Sequence, residues 1–315
     1  MSEDPTADSA TWPAGHVTVI DGGMGKELRR IGAPFRQPEW SALALMEAPE
    51  FVVEAHRNFI DAGAELIITN NYAVVPYHLG EERFDEIGRE LLIVAGQLAR
   101  QAADDVDRPV LVAGSLPPLF GSYEPNLFDA VRAPTIYETI VRELEPFVDL
   151  WVAETLSLVD EMTIIATAVE RSGGGKPLWA SFALPEHFDG PTALRSADTV
   201  SDIVDTVRSF DHLVDAVLFN CSLPEQIGPA LVDLTAALGA AGLDIRTGAY
   251  ANAFPETRHD PQYTANNTIL ERREDMTPLI YADIVDGWVR DGASIVGGCC
   301  DMYPEHIAAL ADRYG

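Results

Sequence analysis

Short runs of consecutive apolar residues recur along the whole chain. Eight such runs occur, at residues 17–20, 66–69, 110–113, 150–153, 178–182, 216–219, 245–249 and 293–296. Apolar or β-branched residues fill successive positions in most of the runs instead of alternating with polar ones, and residues 245–249, Ile-Arg-Thr-Gly-Ala, are the clearest exception. This is the pattern of strands that are buried on both faces of a parallel sheet. The sequence therefore predicts eight buried strands.

Longer segments with helical periodicity separate these runs. In residues 51–62, apolar side chains recur at Phe51, Ala55, Phe59 and Ala62, a spacing that places them on one face of a helix. The same reasoning predicts further helices at residues 83–100, 135–147, 158–171, 197–210, 225–238, 278–290 and 304–313. Two connections are long, at residues 21–49 and 252–276. Long loops after strands are where such folds commonly bind substrates.

Eight strands that alternate with helices indicate a (β/α)8 or TIM barrel. A doubly wound open sheet is the alternative, although it usually has fewer strands. No linker rich in Pro, Gly and Ser divides the chain. We therefore predict a single α/β domain at residues 13–315, preceded by a disordered lead at residues 1–12.

Composition and charge narrow the kind of protein. The chain has 21 Lys and Arg against 50 Asp and Glu, a net charge of −29, and 47% apolar residues. The apolar content is enough for a large core, and the charge disfavours nucleic acid and anionic membranes as partners. No apolar run approaches the roughly 20 residues that span a bilayer, and the first ten residues lack the features of a secretory signal. We expect a cytoplasmic protein that acts on small molecules; a homo-oligomer is left open.

Residues with useful chemistry follow the predicted strands. In a (β/α)8 barrel the active site lies at the carboxyl ends of the strands. All three cysteines of the chain fall at such positions, together with two acidic residues and several small polar ones. The candidate site residues are Asp21, Gly22, Gly23, Thr69, Asn70, Ser115, Glu154, Cys221, Cys299 and Cys300.

The three cysteines predict a zinc site. Thiolates favour zinc, and three protein ligands leave a tetrahedral ion one open position, as in catalytic sites. Cys299 and Cys300 are adjacent, so both can face one ion only if the chain turns there, a freedom that Gly297 and Gly298 supply. Cysteines are also common core residues, and a disulfide between neighbours is strained and disfavoured in a reducing compartment. Three cysteines at one face of the barrel, with none elsewhere, favour the metal.

Five motifs, taken in order, resemble the homocysteine S-methyltransferase family. They are Asp21-Gly22-Gly23-Met24-Gly25, Gly114-Ser115-Leu116-Pro117-Pro118, Glu154-Thr155-Leu156-Ser157, Asn220-Cys221-Ser222 and Gly297-Gly298-Cys299-Cys300. Pro304-Glu305-His306-Ile307 extends the resemblance into the last predicted helix, so that it covers residues 17–311. The resemblance implies a (β/α)8 barrel in which Cys221, Cys299 and Cys300 bind Zn²⁺ and activate the substrate thiol.

The resemblance also implies how substrates bind. Asp21 and Glu154 are expected to bind the ammonium of homocysteine, and the backbone at Gly22 and Gly23 its carboxylate. The alternatives are a helix cap for Asp21 and a partner for a nearby Arg for Glu154. Thr69, Asn70 and Ser115 are weaker candidates, because hydroxyls and amides at strand ends often only close loops. A cationic donor would suit an aromatic wall, and aromatic residues near these loops are Tyr72, Phe120, Tyr123, Trp179, Phe182, Tyr250 and Phe254.

The implied reaction is zinc-dependent methyl transfer to homocysteine, giving methionine. S-methylmethionine or S-adenosylmethionine is the expected donor, because the chain lacks the extra length of relatives that use betaine. Betaine or another sulfonium or ammonium donor, a different thiol or selenol acceptor, and a non-enzymatic zinc-containing binding protein are the alternatives. The sequence departs from the family pattern at Lys26, where Thr is common, and at Asp301, where Gly is common. Neither departure removes a zinc ligand.

Overall fold

Eight parallel strands form the centre of the molecule. The computed structural model describes residues 13, 15–187, 190–255 and 272–315. Each observed strand overlaps one predicted run, which confirms the eight strands. They are β1 (Thr18–Val19), β2 (Leu66–Ile68), β3 (Leu111–Leu116), β4 (Leu150–Leu156), β5 (Leu178–Phe182), β6 (Val214–Asn220), β7 (Arg246–Ala251) and β8 (Ala293–Gly298).

The strands close into a barrel. Their order is β1-β8-β7-β6-β5-β4-β3-β2, with every neighbouring pair parallel. The remaining edges, β1 and β2, meet through a parallel bridge between Ile20 and Leu66. The Asp21 amide also donates a hydrogen bond to the Leu66 carbonyl at 3.0 Å. The predicted single-domain (β/α)8 barrel is therefore confirmed, whereas the predicted lead at residues 1–12 lies outside the described residues.

Helices surround the barrel, and all eight predicted helices are present. The described helices are α1 (Met24–Ile31), α2 (Ala42–Glu47), α3 (Pro49–Asp61), α4 (Pro76–Leu79), α5 (Glu81–Asp104), α6 (Ala133–Leu144), α7 (Val159–Ser172), α8 (Val200–Ser209), α9 (Pro224–Ala241), α10 (Pro278–Arg290) and α11 (Pro304–Tyr314). Among the described residues, no helix combines the length and apolarity needed to cross a bilayer.

The prediction of one long loop at residues 21–49 was wrong, because α1 and α2 lie within it. Met24, Leu28 and Ile31 recur at helical spacing in α1, but the helix is only eight residues long, too short for this spacing to distinguish it from a loop. Arg30 and Asn58 donate hydrogen bonds to the Glu27 carboxylate at 2.6–2.8 Å and stabilise this buried charge. The other predicted long connection, residues 252–276, is described only at residues 252–255 and 272–276.

Two apolar cores hold the fold together. The larger one fills the space between the sheet and the helices. The smaller one draws side chains from β2 to β8 and from Ile20 beside β1, and such a set can meet only inside the barrel. Its members are Ile20, Leu66, Ala113, Leu150, Val152, Trp179, Ala216, Leu218, Tyr250 and Ile295. The barrel interior is therefore packed, as in other folds of this class, and leaves room for a site only at its end.

A buried histidine is expected to make stability depend on pH. His56 in α3 is 0% exposed, and neither ring nitrogen has a hydrogen-bond partner in the described chain. Burial lowers the pKa of His56 to about 3. The unfolded chain binds the proton near pH 6.5 and the folded chain does not, so the free energy of unfolding falls as pH drops between these values. The slope from this residue is about 1.4 kcal/mol per pH unit.

Urea unfolding of a His56→Leu variant between pH 6.5 and 4 tests this prediction. We expect a shallower loss of stability than in the wild type, because the variant has no imidazole to protonate on unfolding. The matched control is His212→Leu, since His212 is exposed and pairs with Glu170 at the surface. Parallel pH profiles for wild type and His56→Leu would show that His56 does not contribute.

Candidate metal centre and active site

The carboxyl ends of the strands surround a cavity of about 190 Å³. Nine of the ten predicted site residues line it: Asp21, Gly22, Gly23, Thr69, Asn70, Glu154, Cys221, Cys299 and Cys300. The tenth, Ser115, lies behind the wall and donates a hydrogen bond from Oγ to Glu154 Oε1 at 2.5 Å. The structure therefore brings the sequence-predicted residues together at one place.

The three cysteines form a cluster that can hold a metal ion. Their Sγ atoms all lie within 4.8 Å of one another, and all three cysteines are free. The Cys221 and Cys300 sulfurs are 3.7 Å apart. A tetrahedral zinc ion with bonds of about 2.3 Å holds its sulfur ligands about 3.8 Å apart. The spacing and the all-thiol donor set therefore fit zinc.

The backbone turns at both ends of the cluster, as the adjacent cysteines require. Strand β8 ends at Gly298, so Cys299 and Cys300 lie on the turn that follows. The turn was predicted to depend on the backbone freedom of Gly297 and Gly298, but neither glycine adopts left-handed backbone angles. They supply space instead: a Cβ at Gly297 would collide with the Ile20 side chain. The left-handed residues are Asp301 (φ 62°) and Cys221 (φ 44°).

Hydrogen bonds favour a thiolate at Cys221. The thiols of Cys299 and Cys300, and after them the Tyr123 hydroxyl, hold the pKa of Cys221 well below its usual range. The Tyr123 hydroxyl lies 2.8 Å from the Cys221 sulfur. The hydrogen bond between Cys299 and Cys221, in turn, raises the pKa of Cys299. The cluster thus favours the thiolate at Cys221 alone, because contacts with Cys221 raise the pKa of both Cys299 and Cys300. A bound cation is needed to hold all three residues as thiolates.

Two buried carboxyl groups face the same cavity. Burial raises the pKa of Asp21 well above its usual range, although the Ile68 amide donates a hydrogen bond to Oδ2 at 2.8 Å. Burial likewise raises the pKa of Glu154 to about 7, against the hydrogen bond from Ser115. Both carboxylates are costly to ionise without a cation nearby. A substrate ammonium would supply that cation.

The polar residues Thr69 and Asn70 use their side chains within the protein. Thr69 Oγ1 donates to Asn71 Oδ1 at 2.6 Å and accepts from the Ser115 amide at 3.0 Å. Asn70 Nδ2 donates to the Ser41 carbonyl at 3.2 Å. Such bonds are expected if these side chains serve to close the loops at the strand ends, the alternative to substrate binding. A role for Thr69, Asn70 and Ser115 in direct substrate binding stays a prediction.

The glycine loop after β1 packs closely against the cysteine turn. The Gly23 amide donates to the Met302 carbonyl at 2.8 Å, so its hydrogen is already used inside the protein. A Cβ at Gly23 would lie 2.5 Å from the Cys299 carbonyl oxygen. Gly23 therefore permits close approach of the two loops, whereas the role predicted for Gly22 in carboxylate binding stays a prediction.

Asn220 supports the site structurally. From the sequence it was named only as part of the motif Asn220-Cys221-Ser222, with no role assigned to it. Its Oδ1 accepts from the Thr155 amide at 2.8 Å and from Ser181 Oγ at 2.8 Å, and its Nδ2 donates to Thr155 Oγ1 at 2.9 Å. Thr155 has φ 61°, a strained angle for a β-branched residue, and these bonds hold it there. Asn220 thereby fixes Glu154 relative to Cys221. A polar residue at the end of the apolar run of β6 was the available signal.

Aromatic side chains also line the cavity. Four of the seven predicted aromatic residues line it, namely Tyr72, Tyr123, Tyr250 and Phe254, whereas Phe120, Trp179 and Phe182 pack elsewhere. Sequence reasoning missed Phe35, Trp40 and His78, which also line the cavity. The Phe35 and Trp40 rings meet edge to face at 5.5 Å. Both belong to the connection between α1 and α2, which lies within the long connection predicted at residues 21–49.

Comparisons with known proteins show which family the chain belongs to. The model of a family described as homocysteine S-methyltransferase matches residues 18–314. The homocysteine S-methyltransferase of Escherichia coli (strain K12) is 30% identical, over 94% of this chain and 95% of its own. The selenocysteine methyltransferase of Astragalus bisulcatus is 29% identical, over 94% and 92%. The metallated homocysteine methyltransferase MmuM from Escherichia coli has a TM-score of 0.74 at 26% identity, covering 95% and 96% of the two chains. The chain therefore belongs to the homocysteine S-methyltransferase family, a family of methyltransferases.

Proposed function

We propose that this protein transfers a methyl group from S-methylmethionine or S-adenosylmethionine to the thiol of L-homocysteine, giving methionine. Zn²⁺ is held by Cys221, Cys299 and Cys300. The observation that carries the proposal is the convergence of three free thiols and two buried carboxyl groups on one cavity. The thiols suit a metal and the carboxyl groups suit the ammonium of an amino acid. The resemblance to homocysteine and selenocysteine methyltransferases supports this assignment.

The donor set of the site fits the metal. Three thiolates satisfy three of the four positions of a tetrahedral zinc ion and leave one for a substrate sulfur. A zinc ion held by these cysteines would lower the pKa of a substrate thiol bound at the fourth position, so that the sulfur would be a nucleophilic thiolate at neutral pH. The protein contributes the ligands, their spacing and the hydrogen bond from Tyr123 to Cys221.

The carboxyl groups orient the acceptor. Asp21 and Glu154 lie on the cavity wall with the three cysteines, so a ligand whose sulfur occupies the cluster can reach them with its ammonium. Ionised, each carboxylate accepts charge-assisted hydrogen bonds from the ammonium, which are stronger than neutral ones. Ser115 holds the Glu154 carboxyl in place from behind. This arrangement selects an amino acid over a simple thiol.

The aromatic residues of the cavity suit a sulfonium donor. Phe35, Trp40 and Tyr72 line the cavity, and the faces of aromatic rings attract cations. Lys26 is the only Lys or Arg among the described residues that line the cavity, and its ammonium lies 2.9 Å from the Asp301 carboxylate. The cavity therefore presents little net positive charge to a cationic donor. The donor leaves as a neutral thioether, so the site needs no strong general acid.

Methyl transfer from three donors tests the proposal. Zinc-loaded protein is given L-homocysteine with S-methylmethionine, S-adenosylmethionine or glycine betaine, and methionine is quantified by mass spectrometry. We expect methionine from a sulfonium donor and little from betaine. L-Selenocysteine serves as a second acceptor, since one similar protein is a selenocysteine methyltransferase. Bound metal without product from any donor and acceptor would favour the binding-protein alternative instead.

A further inference from the structure

The two residues that depart from the family pattern meet in the structure. Lys26 Nζ lies 2.9 Å from Asp301 Oδ2, although the residues are at opposite ends of the chain. The Lys26 side chain is 10% exposed and the Asp301 side chain 2%. Removing one partner of a buried ion pair leaves an uncompensated charge, which is strongly unfavourable. The two departures therefore belong together as one feature.

Asp301 lies on the turn that carries two of the metal-binding cysteines. It follows Cys300 directly and adopts a left-handed backbone with φ 62°. Asp is one of the few residues other than Gly that adopt this conformation readily. Its Oδ1 accepts a hydrogen bond from the Tyr303 hydroxyl at 3.0 Å. Its buried Oδ2 has no hydrogen-bond partner in the described chain and faces the Lys26 ammonium as an ion pair at 2.9 Å. The side chain thereby fixes the residue that turns the chain after Cys300.

Lys26 reaches this turn from the first helix and connects three loops. It belongs to the first turn of α1, and its ammonium lies 5.8 Å from the Phe254 ring centre, on the connection after β7. The Ala253 amide in that connection donates to the Cys300 carbonyl at 3.0 Å. The connections that follow β1, β7 and β8 are thus joined at the pair. A change at the pair reaches Cys300 through one peptide unit.

We propose that Lys26 and Asp301 are a positioning pair for the metal site. Their ion pair holds the Cys299–Met302 turn against α1. The Cys299 and Cys300 sulfurs thereby keep the distances from each other and from Cys221 that a tetrahedral ion requires. Neither residue is a ligand, and both act through the turn. The inference rests on the proposed metal site and adds to it residues that set how tightly the metal is held.

Metal release from four variants tests the proposal. Zinc-loaded wild type, Lys26→Met, Asp301→Asn and the double variant are mixed with a chromophoric chelator, and the release of Zn²⁺ is followed. Loss of a residue that orients metal ligands typically weakens metal affinity by about 10- to 100-fold. We expect each single variant to bind Zn²⁺ at least about tenfold more weakly than the wild type. The double variant buries no unpaired charge, so its loss is smaller than the product of the two single losses.

Three further measurements separate positioning from general destabilisation. Lys26→Arg keeps the charge and is expected to restore most of the affinity. The visible spectrum of the Co²⁺-loaded protein reports thiolate coordination, and we expect it to change in both single variants. The matched control is Lys176→Met, which removes the only other lysine of the chain. Lys176 forms an ion pair with Glu145 at 3.1 Å, and neither residue lines the cavity.

The outcomes distinguish this inference from the proposed function. Wild type that binds one Zn²⁺, with single variants that bind it with wild-type affinity, would overturn the positioning pair and leave the metal site in place. Wild type that binds no metal in its reduced form would overturn both. Equal losses in Lys176→Met would show that the effect is not specific to the pair.

Discussion

Replacing Cys221 with alanine is expected to remove the bound metal and to lower kcat/KM for methyl transfer by about 10³-fold or more, because activation and positioning of the substrate thiol are lost together. Cys221 provides one of three thiols in the cluster, and the other two come from a single turn. Two adjacent thiols alone leave half of a tetrahedral ion without protein ligands. Metal content by atomic emission and methionine formation are the two measurements.

The Cys221→Ala variant should fold, because the replacement removes only one buried sulfur and alanine is tolerated in a packed core. A matched control is Tyr123→Phe, which removes the hydrogen bond to the same sulfur and keeps all three thiols. We expect Tyr123→Phe to retain one metal per chain, with a smaller loss of activity. Metal bound by Cys221→Ala with wild-type affinity would show that the ion is held elsewhere and that Cys221 is a core cysteine.

The barrel could be predicted because its strands are buried on both faces. Consecutive apolar residues, as in residues 150–153, mark such strands without reference to their neighbours, and residues 51–62 mark a helix by its period. Helix α1 was missed because it is short. Met24, Leu28 and Ile31 follow a helical spacing, but three apolar positions in eight residues do not distinguish a helix from a loop. The burial of Glu27, which accepts hydrogen bonds from Arg30 and from Asn58 of another helix, is visible only in the structure.

The sequence could predict which residues meet at the cavity, but not which of them contact one another. The carboxyl ends of parallel strands lie together at one end of a barrel, so Cys221, Cys299 and Glu154 were expected to meet once the strands were placed. The partner of each residue depends on loop conformation, which sequence does not fix. Lys26 and Asp301 were noted separately as departures, and only the structure shows that they form a pair.

Replacing Glu154 with glutamine is expected to raise KM for homocysteine by about 10- to 100-fold and to change kcat much less. Hydrogen bonds to charged groups contribute about 1.5–3 kcal/mol, and the variant loses the charge that we propose binds the ammonium. Burial raises the pKa of Glu154 to about 7, so in the wild type this carboxyl is protonated below that pH and binds an ammonium poorly. We therefore expect wild-type kcat/KM for homocysteine to rise with pH through about 7, and Glu154→Gln to lose this dependence.

Stability should move in the opposite direction to binding. The pKa of Glu154 is about 7 when folded and near 4.5 when unfolded, so the folded state holds the proton more tightly. The free energy of unfolding therefore falls as pH rises from 4.5 to 7, by up to about 3 kcal/mol above pH 7. Glutamine keeps the acceptor for Ser115 and has no charge to bury. We expect Glu154→Gln to be more stable than the wild type at pH 8, measured by urea unfolding without substrate.

A second buried acid provides the control that separates these two effects. Burial also raises the pKa of Glu161 in α7 to about 7, but Glu161 accepts from the Ser157 amide and does not line the cavity. Glu161→Gln removes the same kind of charge and should leave KM for homocysteine unchanged. If Glu154→Gln also kept the wild-type KM, the ammonium would bind elsewhere, and Asp21 would be the remaining carboxyl on the cavity wall. A higher KM together with higher stability cannot result from misfolding, so that combination would assign Glu154 to substrate binding.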